Sequence, residues 1–433
     1  MKAGSAKVDI TPKGAVWMEG MLRAHKSQGV HDPLFSHALV ISNSGDLCDA
    51  YAVISLDVCE VTVEQAASAR KEIERKTGIP YGNIIIATTH THSGPAAVGL
   101  LNESEPEYQK ELLKKIVESA ELAAGNLKCA LVGVGCGKEG TISHYRRLLA
   151  DDGHIVMNWE PYPEEKLLGP TGVVDADLGV IKAVDAETGS TICTLFNHTG
   201  HPNVMSGDNY LISADYVGKA QELVEEALGG VAMFVNGAQG SMDIDGLRDR
   251  DWEGVDRLGG KLADATLDLA NKTEVAKDIP IRGAWHEFTM KRRRITPKEL
   301  EWAENIIAET GGEVKPLADG VGDDYKAKLF IRLHGLQDQD VTVDQTCFAI
   351  GDTAFISIPG ELFTEIGMRI KAESPFTHTY LLGLANGHVG YIPTRVAIHL
   401  GGYEVDTRSM DDMTEELVVA KSLELLRRVK SLS

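Results

Sequence analysis

The chain alternates short apolar runs rich in β-branched residues with longer amphipathic stretches, and this alternation constrains its fold most strongly. The runs 38–45 and 51–58 are bounded by Gly, Asn and Asp, a pattern that is typical of strands. The stretch 105–127 carries apolar residues at three- and four-residue spacing and ends at Gly-Asn, which predicts a long helix. Strands that alternate with helices of this length predict an α/β protein.

The length and composition fit one large globular unit. A chain of 433 residues could form roughly two or three domains, but no long linker, low-complexity segment or internal repeat interrupts it. Hydrophobic residues make up 43% of the chain, which is ample for a core. We therefore predict a single domain over 1–433, with an excursion or subdomain at about 278–345.

The net charge of −21 limits the partners of the chain. Nucleic acid and anionic membrane surfaces are repelled by such a charge, so neither is expected as a partner. No apolar run has the length of a signal peptide or of a transmembrane helix, which predicts no membrane insertion. The six cysteines form no CxxC pair and are expected to be buried free thiols, which together predict a cytoplasmic protein.

A basic run occupies 291–294, ahead of a helix that Thr296 and Glu299 begin with capping-box spacing. The run has two interpretations. It could bind an anion, or it could be a solvated strand edge that leads into the helix. We favour the second interpretation, because charge runs are usually solvated.

The segment THTHSGP at 89–95 is the strongest functional signal. His90 and His92 follow an apolar strand, and on an extended backbone alternate side chains point to the same face. Open α/β sheets build their sites at such strand ends. Two histidines that only satisfy hydrogen bonds at the edge of the core are the alternative, but the HxH spacing at a strand end favours a metal site.

A second loop of this kind, NHTGHP, lies at 197–202 and also follows an apolar strand. His198 and His201 are both candidates for a ligand from this loop. Zinc prefers imidazole nitrogen, and a catalytic zinc site takes three protein ligands and leaves one position open. Two such loops from separate strands could converge on one metal.

Two acidic residues occupy comparable positions. Glu361 in PGELF follows an apolar strand and precedes a helix. Its carboxylate could be a metal ligand or a general base, or it could offset the dipole of the helix. Asp57 ends an earlier strand and could orient a metal-bound histidine or simply occupy a turn. The residues alone leave these alternatives open.

A Gly-rich loop at 236–245 follows another apolar strand and lets backbone N–H groups approach a ligand closely. Ser241, Asp243 and Asp245 are its candidate site residues. No GxSxG motif is present, so the sequence does not support a serine hydrolase triad. The glycines within 130–137 lack the spacing of a dinucleotide-binding loop.

Taken together, these stretches resemble the N-terminal catalytic domain of the neutral/alkaline, non-lysosomal ceramidase family. The matching pieces occur in one order over most of the chain. They are KVDITP (7–12), TTHTHSGP (88–95), SHYRRL (143–148), NHTGHP (197–202), ISADYVGKA (212–220), NGAQGS (236–241), PGELFTEIGMRI (359–370), GLANGHVGYIPT (383–394) and GGYEV (401–405).

The resemblance implies an α/β fold of mixed sheets layered with helices, and a zinc amidohydrolase that cleaves the amide of N-acylsphingosine. The implied Zn²⁺ ligands are His90, His201, Glu361 and Tyr391. Tyr403 would stand beside the substrate, and His92 would be an active-site partner rather than a ligand. Arg146 or Arg147 would be the active-site arginine, in a register that is uncertain by one residue.

The mechanism implied by the resemblance uses a water molecule activated by zinc to attack the carbonyl carbon of the substrate. Tyr403, with Arg146 or Arg147, would donate hydrogen bonds to the developing oxyanion. His92 would pass a proton to the leaving amine.

The chain departs from the family pattern at three points. The family loop Gly-Asp-Val-Ser-Pro corresponds to Gly-Ser-Met-Asp-Ile at 240–244 of this chain. Asp243 therefore takes the place of the serine, and Ser241 lies two positions earlier. The chain ends where the immunoglobulin-like C-terminal domain of the ceramidases would begin, and it carries no secretion signal. We expect metal binding to survive these departures and activity on long-chain ceramide to be weak or absent.

A water-soluble acyl amide or a sugar derivative is therefore the expected substrate, with polar side chains close to the metal. A zinc enzyme that acts on a carbohydrate, ester or lactone is the main alternative. A non-catalytic protein that binds a metal or a small ligand is the second.

Overall fold

Two β-sheets lie face to face between two outer layers of helices in the computed structural model, which describes residues 1–244 and 250–432. The α/β fold with mixed sheets and helices is thereby confirmed.

The strands of the described residues are numbered in chain order. They are β1 (Lys2–Asp9), β2 (Gly29–Val30), β3 (Phe35–Ser42), β4 (Ala50–Leu56), β5 (Ile84–Thr88), β6 (Lys128–Lys138), β7 (His144–Tyr145), β8 (Arg147–Ala150), β9 (Ile155–Met157), β10 (Leu167–Pro170), β11 (Asp177–Asp185), β12 (Thr191–His198), β13 (Leu211–Ile212), β14 (Val231–Asn236), β15 (Met242–Asp243), β16 (Ile281–Met290), β17 (Val341–Ile350), β18 (Thr353–Ser357), β19 (Glu361–Leu362), β20 (His378–Leu382) and β21 (Tyr391–Ile392).

The α-helices of the same residues are numbered likewise. They are α1 (Val63–Thr77), α2 (Pro106–Gly125), α3 (Asp215–Leu228), α4 (Trp252–Lys272), α5 (Pro297–Thr310), α6 (Asp323–Leu336), α7 (Thr364–Glu373), α8 (Arg395–Leu400), α9 (Tyr403–Thr407) and α10 (Thr414–Lys430).

The helix boundaries follow the signals of the sequence. Helix α1 begins at a capping box formed by Thr62 and Gln65 and ends at Gly78 in the left-handed conformation. Helix α5 begins at the predicted capping box of Thr296 and Glu299 and ends at Gly311.

The larger sheet has eight strands in the order β14-β12-β11-β6-β1-β3-β4-β5. Its two edges are parallel pairs, β12 with β14 and β4 with β5, and the strands between them are antiparallel. The second sheet has four strands in the order β16-β17-β18-β20 and ends in the parallel pair β18 and β20. Each of these parallel pairs sends its carboxyl ends toward a loop that the sequence marks as functional.

Alternation along the strands divides the core into layers. Ile54 and Ile86 face helices α1 and α2 on one side of the large sheet, whereas their neighbours Val53 and Ile85 face the second sheet. The contact between the sheets also includes Phe355 of β18. Helices α3 and α4 cover the rest of the outer face of the large sheet, and α7 and α10 cover the second sheet.

The excursion expected at about 278–345 corresponds to a helical hairpin inserted between two strands of the second sheet. Helices α5 and α6 pack on each other between β16 and β17, which pair along their whole length. This hairpin has its own small apolar cluster, to which Leu22 from the N-terminal region contributes.

No helix within residues 1–244 and 250–432 is long and apolar enough to cross a membrane. All six cysteines are free. The prediction that they are buried is right for Cys59, Cys193 and Cys347. Cys48, in a short 3-10 helix at Leu47–Asp49, and Cys129, at the start of β6, are exposed, and Cys136 is half-buried.

One buried ion pair joins helix α1 to the second sheet. Arg70 donates two hydrogen bonds of 2.7 Å to Asp344 of β17, and both side chains are buried. Tyr81 and Asn386 also donate to Asp344. A buried ion pair whose carboxylate accepts from three side chains fixes how the two layers meet.

Replacing Arg70 with Met should therefore lower the free energy of unfolding by about 3–5 kcal/mol, because Asp344 would remain buried without its partner. Arg75→Met on the same helix is the matched control, since Arg75 pairs with Glu72 at the surface and such pairs contribute at most about 1 kcal/mol. Urea unfolding measured by fluorescence and circular dichroism checks both variants. Equal losses in the two variants would contradict this role, and separate transitions for the two probes would contradict a single domain.

Candidate metal centre

Three histidine rings meet at one point inside the protein. The Nε2 atom of His92 lies 3.3 Å from Nε2 of His90 and 3.1 Å from Nε2 of His201. The three ring centroids are 4.6–4.8 Å apart, the planes are nearly perpendicular, and all three side chains are buried. The two loops singled out in the sequence therefore converge.

His90 is held in an unusual backbone conformation. It follows β5 with a φ of 72°, a region that side chains other than glycine seldom occupy and that often marks a functional site. Its Nδ1 lies 2.9 Å from the carbonyl oxygen of Cys59, to which it can donate. That hydrogen bond leaves Nε2 with a free lone pair directed at the other histidines.

His92 is positioned by the N-terminal loop. Gly20, with a φ of 87°, packs on its ring so closely that a Cβ on this glycine would lie 2.4 Å from the imidazole. Arg23 donates a hydrogen bond of 2.9 Å to the carbonyl oxygen of His92. It also donates to the carbonyl oxygen of Glu19 in the same N-terminal loop. The Nδ1 atom of His92 is buried without a hydrogen-bond partner among the described residues.

The two histidines of the loop after β12 point in different directions. His201 joins the cluster, and its Nδ1 lies 3.4 Å from Nη1 of Arg146. His198 instead bonds to the carbonyl oxygen of Glu139 through Nε2 at 3.0 Å. Of the two candidates in this loop, the structure brings only His201 to the cluster.

Glu361 completes the cluster from the second sheet. One carboxylate oxygen lies 3.3 Å from Nε2 of His90. Residue 361 belongs to the short strand β19, which pairs in register with β21 so that Glu361 stands opposite Tyr391. The helix that follows begins at Thr364, and the acidic residue in its first turn is Glu365. The position of Glu361 is thus not that of a residue offsetting a helix dipole.

Buried charges around Glu361 were missed by the sequence analysis. His388 lies between two carboxylates, with Nδ1 at 2.7 Å from Glu60 and Nε2 at 3.3 Å from Glu361. Burial alone would lower the pKa of His388, but the charge of Glu60 and hydrogen bonds to Glu361 and Glu60 raise it to about 10. The only signal in the sequence was that His388 lies three residues before Tyr391.

The electrostatic setting suits metal binding. Burial, and then His90, holds the pKa of both His92 and His201 well below the usual range, so these imidazoles are neutral. Burial alone would raise the pKa of Glu361, but His90 and hydrogen bonds from His388 and His90 hold it well below its usual range. Neutral imidazole and ionised carboxylate are the forms that coordinate a cation.

Arg146 and Arg147 make different contacts, and of the two it is Arg146 that contacts a histidine of the cluster. Arg146 lies beside His201, and its Nη2 donates a hydrogen bond of 2.8 Å to the carbonyl oxygen of Gly240. Arg147 points away and donates to the carbonyl oxygen of Gly401. Glu404, which is fully buried, accepts from Nε of Arg146 and from Nη1 of Arg147.

Two tyrosines stand beside Arg146. The ring centroids of Tyr391 and Tyr403 are 5.7 Å apart, and the guanidinium lies 5.3 Å and 5.9 Å from them. Burial, then the charge of Glu361, raises the pKa of Tyr391, and burial also raises that of Tyr403. Tyr403 is the first residue of α9, directly before Glu404, so the two arginines also fix its position.

The remaining candidates of the Gly-rich loop lie behind the cluster. The hydroxyl of Ser241 accepts from the backbone N–H of Thr364 at the start of α7. Asp243 pairs with His144 between β15 and β7 and accepts from the backbone N–H of Ile244. Both residues support the loop in their observed contacts. Asp245 lies outside the described residues.

The observed contacts of Asp57 also indicate a structural role. Its carboxylate accepts from the backbone N–H of Phe35 at 2.9 Å and from Gln221 at 3.3 Å, and it lies 4.0 Å from His37. The group that accepts the Nδ1 hydrogen bond of His90 is the backbone carbonyl of Cys59.

A cavity of about 320 Å³ leads to the cluster. His90, His92 and Glu361 line its inner end together with both tyrosines. Its aliphatic wall comes from helix α6 and from the loop that precedes α2: Val98, Leu100, Leu101, Leu329, Leu333 and Leu336. Polar groups near the cluster were expected, but this aliphatic wall was not.

The donor set fits a divalent metal ion. Ligand atoms about 2.0–2.1 Å from a tetrahedral ion lie about 3.3 Å from one another, which is the separation of Nε2 of His90 from a carboxylate oxygen of Glu361. His90, His201 and Glu361 form one group of potential ligand atoms within 4.8 Å, and Cys59, His90 and His92 form another. The first group is favoured, because Nδ1 of His90 already forms a hydrogen bond with the carbonyl oxygen of Cys59.

Comparison with known proteins bears on this site. Residues 1–240, more than half of the chain, match the family described as neutral/alkaline non-lysosomal ceramidase, N-terminal. The chain belongs to this family. The resemblance seen in the sequence is thus confirmed.

A curated relative and two solved structures extend the comparison. The neutral ceramidase of Pseudomonas aeruginosa is 23% identical over 469 residues, which cover 93% of this chain and 68% of that protein. The crystal structure of the neutral ceramidase from Pseudomonas aeruginosa superposes with a TM-score of 0.75 at 20% identity and covers 99% of this chain and 75% of that one. A ceramidase complexed with C2 superposes with a TM-score of 0.76 at the same identity and coverage. The ceramidase fold is therefore shared over almost the whole chain.

The two histidines of the loop after β12 provide a matched pair of variants. His201→Ala should remove most of the bound metal, because losing one ligand removes much of the binding free energy. His198→Ala should keep the full metal content, because His198 bonds to the carbonyl oxygen of Glu139. Metal analysis of the purified variants checks both. Full metal content in His201→Ala would contradict the assignment of the site.

Proposed function

We propose that this chain is a zinc-dependent hydrolase that cleaves the amide bond of N-acyl compounds. The observation that carries the proposal is the buried convergence of three imidazole Nε2 atoms and the Glu361 carboxylate at the inner end of a cavity. Membership of the ceramidase family supports amide hydrolysis as the reaction.

The residues proposed to hold Zn²⁺ are His90, His201, Glu361 and Tyr391. A set of imidazole nitrogens and carboxylate oxygen is typical of catalytic zinc. Zinc in such a site lowers the pKa of a water molecule to about 7 and so supplies a nucleophile at neutral pH.

Arg146 and Tyr403 are proposed to stabilise the charge that develops on the substrate carbonyl oxygen. Two of the nitrogens of Arg146 are already bound, to Glu404 and to the carbonyl oxygen of Gly240, so the guanidinium is fixed before the substrate arrives. Its charge is permanent at any working pH. The high pKa of Tyr403 keeps its hydroxyl protonated and able to donate. Donors fixed in advance contribute most to this kind of stabilisation.

His92 is proposed to carry the proton to the leaving amine. It is neutral and lies at the inner end of the cavity, and its Nε2 is 3.1–3.3 Å from both neighbouring histidines. A neutral imidazole can accept a proton from the nucleophile and donate it to the departing nitrogen. The contacts of Ser241 and Asp243 support a structural role for both, in holding the loop that carries Gly240.

The cavity favours an acyl group over a sugar. Leu329, Leu333 and Leu336 of α6 form an aliphatic surface beside the cluster, and such a surface cannot satisfy the hydroxyl groups of a carbohydrate. A cavity of about 320 Å³ lies at the lower end of the range for small-ligand sites, which fits a short or medium acyl chain. Weak activity on long-chain ceramide stays our prediction.

The proposal is tested by assaying the zinc-loaded protein on N-octanoyl amides, octanoyl esters and N-acetylated sugars. We expect release of octanoate from the amides, loss of activity after chelation, and recovery when zinc is restored. Detergent-dispersed ceramide should be cleaved with a kcat/KM below about 10⁴ M⁻¹s⁻¹, the lower end for enzymes on their own substrates. Cleavage of sugars or esters without any amide would contradict the proposal.

Tyr403→Phe should lower kcat by roughly 10²–10³, the usual effect of removing one oxyanion donor, and leave the zinc content unchanged. Tyr210→Phe is the control, because the hydroxyl of Tyr210 accepts from the backbone N–H of Ala24 in the observed structure. Steady-state kinetics and metal analysis of both variants check this. Unchanged kcat in Tyr403→Phe would contradict the proposed role.

A further inference from the structure

Two arginines line the cavity without forming an ion pair with any carboxylate of the described residues. Arg292 belongs to the basic run 291–294, and Arg332 belongs to helix α6. Within residues 1–244 and 250–432, neither guanidinium forms an ion pair or a side-chain hydrogen bond, and Nε of Arg292 is buried without a partner. Two guanidiniums at the wall of one cavity, one half-buried and one exposed, thus have no side-chain partner among the described residues.

The neighbours of Arg292 in the basic run behave differently. Arg293 binds Glu299 of α5 and the backbone carbonyls of 405 and 406. Arg294 is exposed and pairs with Asp338 at 3.0 Å. The solvated-edge interpretation of the run therefore describes Arg294. Arg292 lines a second cleft with Lys291, Arg293 and Arg294, but of these four residues it alone also lines the substrate cavity.

Helix α6 presents the second arginine by its periodicity. Tyr325, Leu329, Arg332, Leu333 and Leu336 all line the cavity, and these positions share one face of a helix. Arg332 is exposed, so water solvates its guanidinium, which remains available to a ligand at the wall of the cavity. Its placement therefore points to an anion within the cavity.

The acidic residues of the cavity are mostly engaged. Glu60 pairs with His388, and Glu19 accepts backbone N–H groups from 99, 100 and 101. Glu64 lies near enough to Arg292 to influence its pKa, but it forms no ion pair with it. Burial, and then the like charge of Arg332, lower the pKa of Arg292, which places the two guanidiniums within electrostatic range of each other.

We propose that Arg292 and Arg332 bind an anionic group of the substrate, so that the preferred substrate is an N-acyl compound with a carboxylate or phosphate group away from the scissile amide. This inference rests on the proposed amide hydrolysis and adds the substrate class. Guanidinium groups bind carboxylate and phosphate through paired hydrogen bonds. In a chain with a net charge of −21, an anionic substrate also needs such a local positive site to enter. Ceramide carries no ionised group and would leave both arginines without a partner.

The kinetic test compares substrates that share the decanoyl amide and differ in the group beyond it. N-decanoylglycine carries a carboxylate, N-decanoyl-O-phosphoethanolamine carries a phosphate, and N-decanoylglycinamide is neutral. Wild-type protein should prefer at least one charged substrate by about tenfold or more in kcat/KM, since hydrogen bonds to ionised partners are about twice as strong as neutral ones. Which of the two is preferred identifies the anionic group.

The double variant Arg292→Gln/Arg332→Gln should reduce this preference to about twofold or less. The matched control Arg294→Gln should retain the wild-type ratio, because its partner Asp338 lies outside the cavity. If the double variant does not fold, Arg332→Gln alone should still reduce the ratio about threefold, since each guanidinium forms part of the anion site. A wild-type preference for the neutral substrate, or a preference that survives in the folded arginine variants, would overturn the proposal.

A binding measurement separates this proposal from the proposed function. Calorimetry with the zinc-loaded protein would use decylsulfonylglycine and its neutral amide, in which a sulfonamide replaces the cleavable bond. Tighter binding of the charged analogue by wild type, lost in the arginine variants, supports the anion site even if no amide is cleaved. Equal binding of the two analogues by wild type would overturn the anion site even if amides are cleaved.

Discussion

The structure depends on the burial of three imidazole Nε2 atoms and one carboxylate around a single point. Lone pairs that face one another at 3.1–3.3 Å away from water are unfavourable unless a proton or a cation lies between them. The fold brings them together because parallel strand pairs of both sheets end at this point. His90 follows β5, His201 follows β12, and Glu361 follows β18. A bound metal ion converts this arrangement from a cost into a source of stability.

Backbone geometry and buried ion pairs maintain the arrangement. Glycines at 20 and 240 allow close contacts that a Cβ would prevent, the first with His92 and the second with the carbonyl oxygen of Glu361. Glu404 ties Arg146 and Arg147 together and so fixes the tyrosine that precedes it. These residues act by positioning, and the precision of the cluster depends on them as much as on the ligands themselves.

Local pattern in the sequence was sufficient for the elements and for the histidine loops, because HxH at a strand end is a local signal. It could not choose between His198 and His201 from residues alone, since only the tertiary contact of His198 with the carbonyl of Glu139 separates them. Nor could it find the pair of His388 with Glu60, whose partners are far apart in the chain. The aliphatic wall of the cavity was missed for the same reason, because helix α6 reaches the cluster only through the packing of a hairpin inserted between two strands.

One zinc ion is proposed to lie among His90, His201 and Glu361. A crystal structure of the purified protein, with anomalous diffraction recorded on both sides of the zinc edge, tests it most directly. We expect one strong peak about 2.0–2.2 Å from Nε2 of both histidines and from a carboxylate oxygen of Glu361. A zinc-loaded crystal with no peak there, or with the peak beside Cys59 and the Nδ1 side of His90, would contradict it.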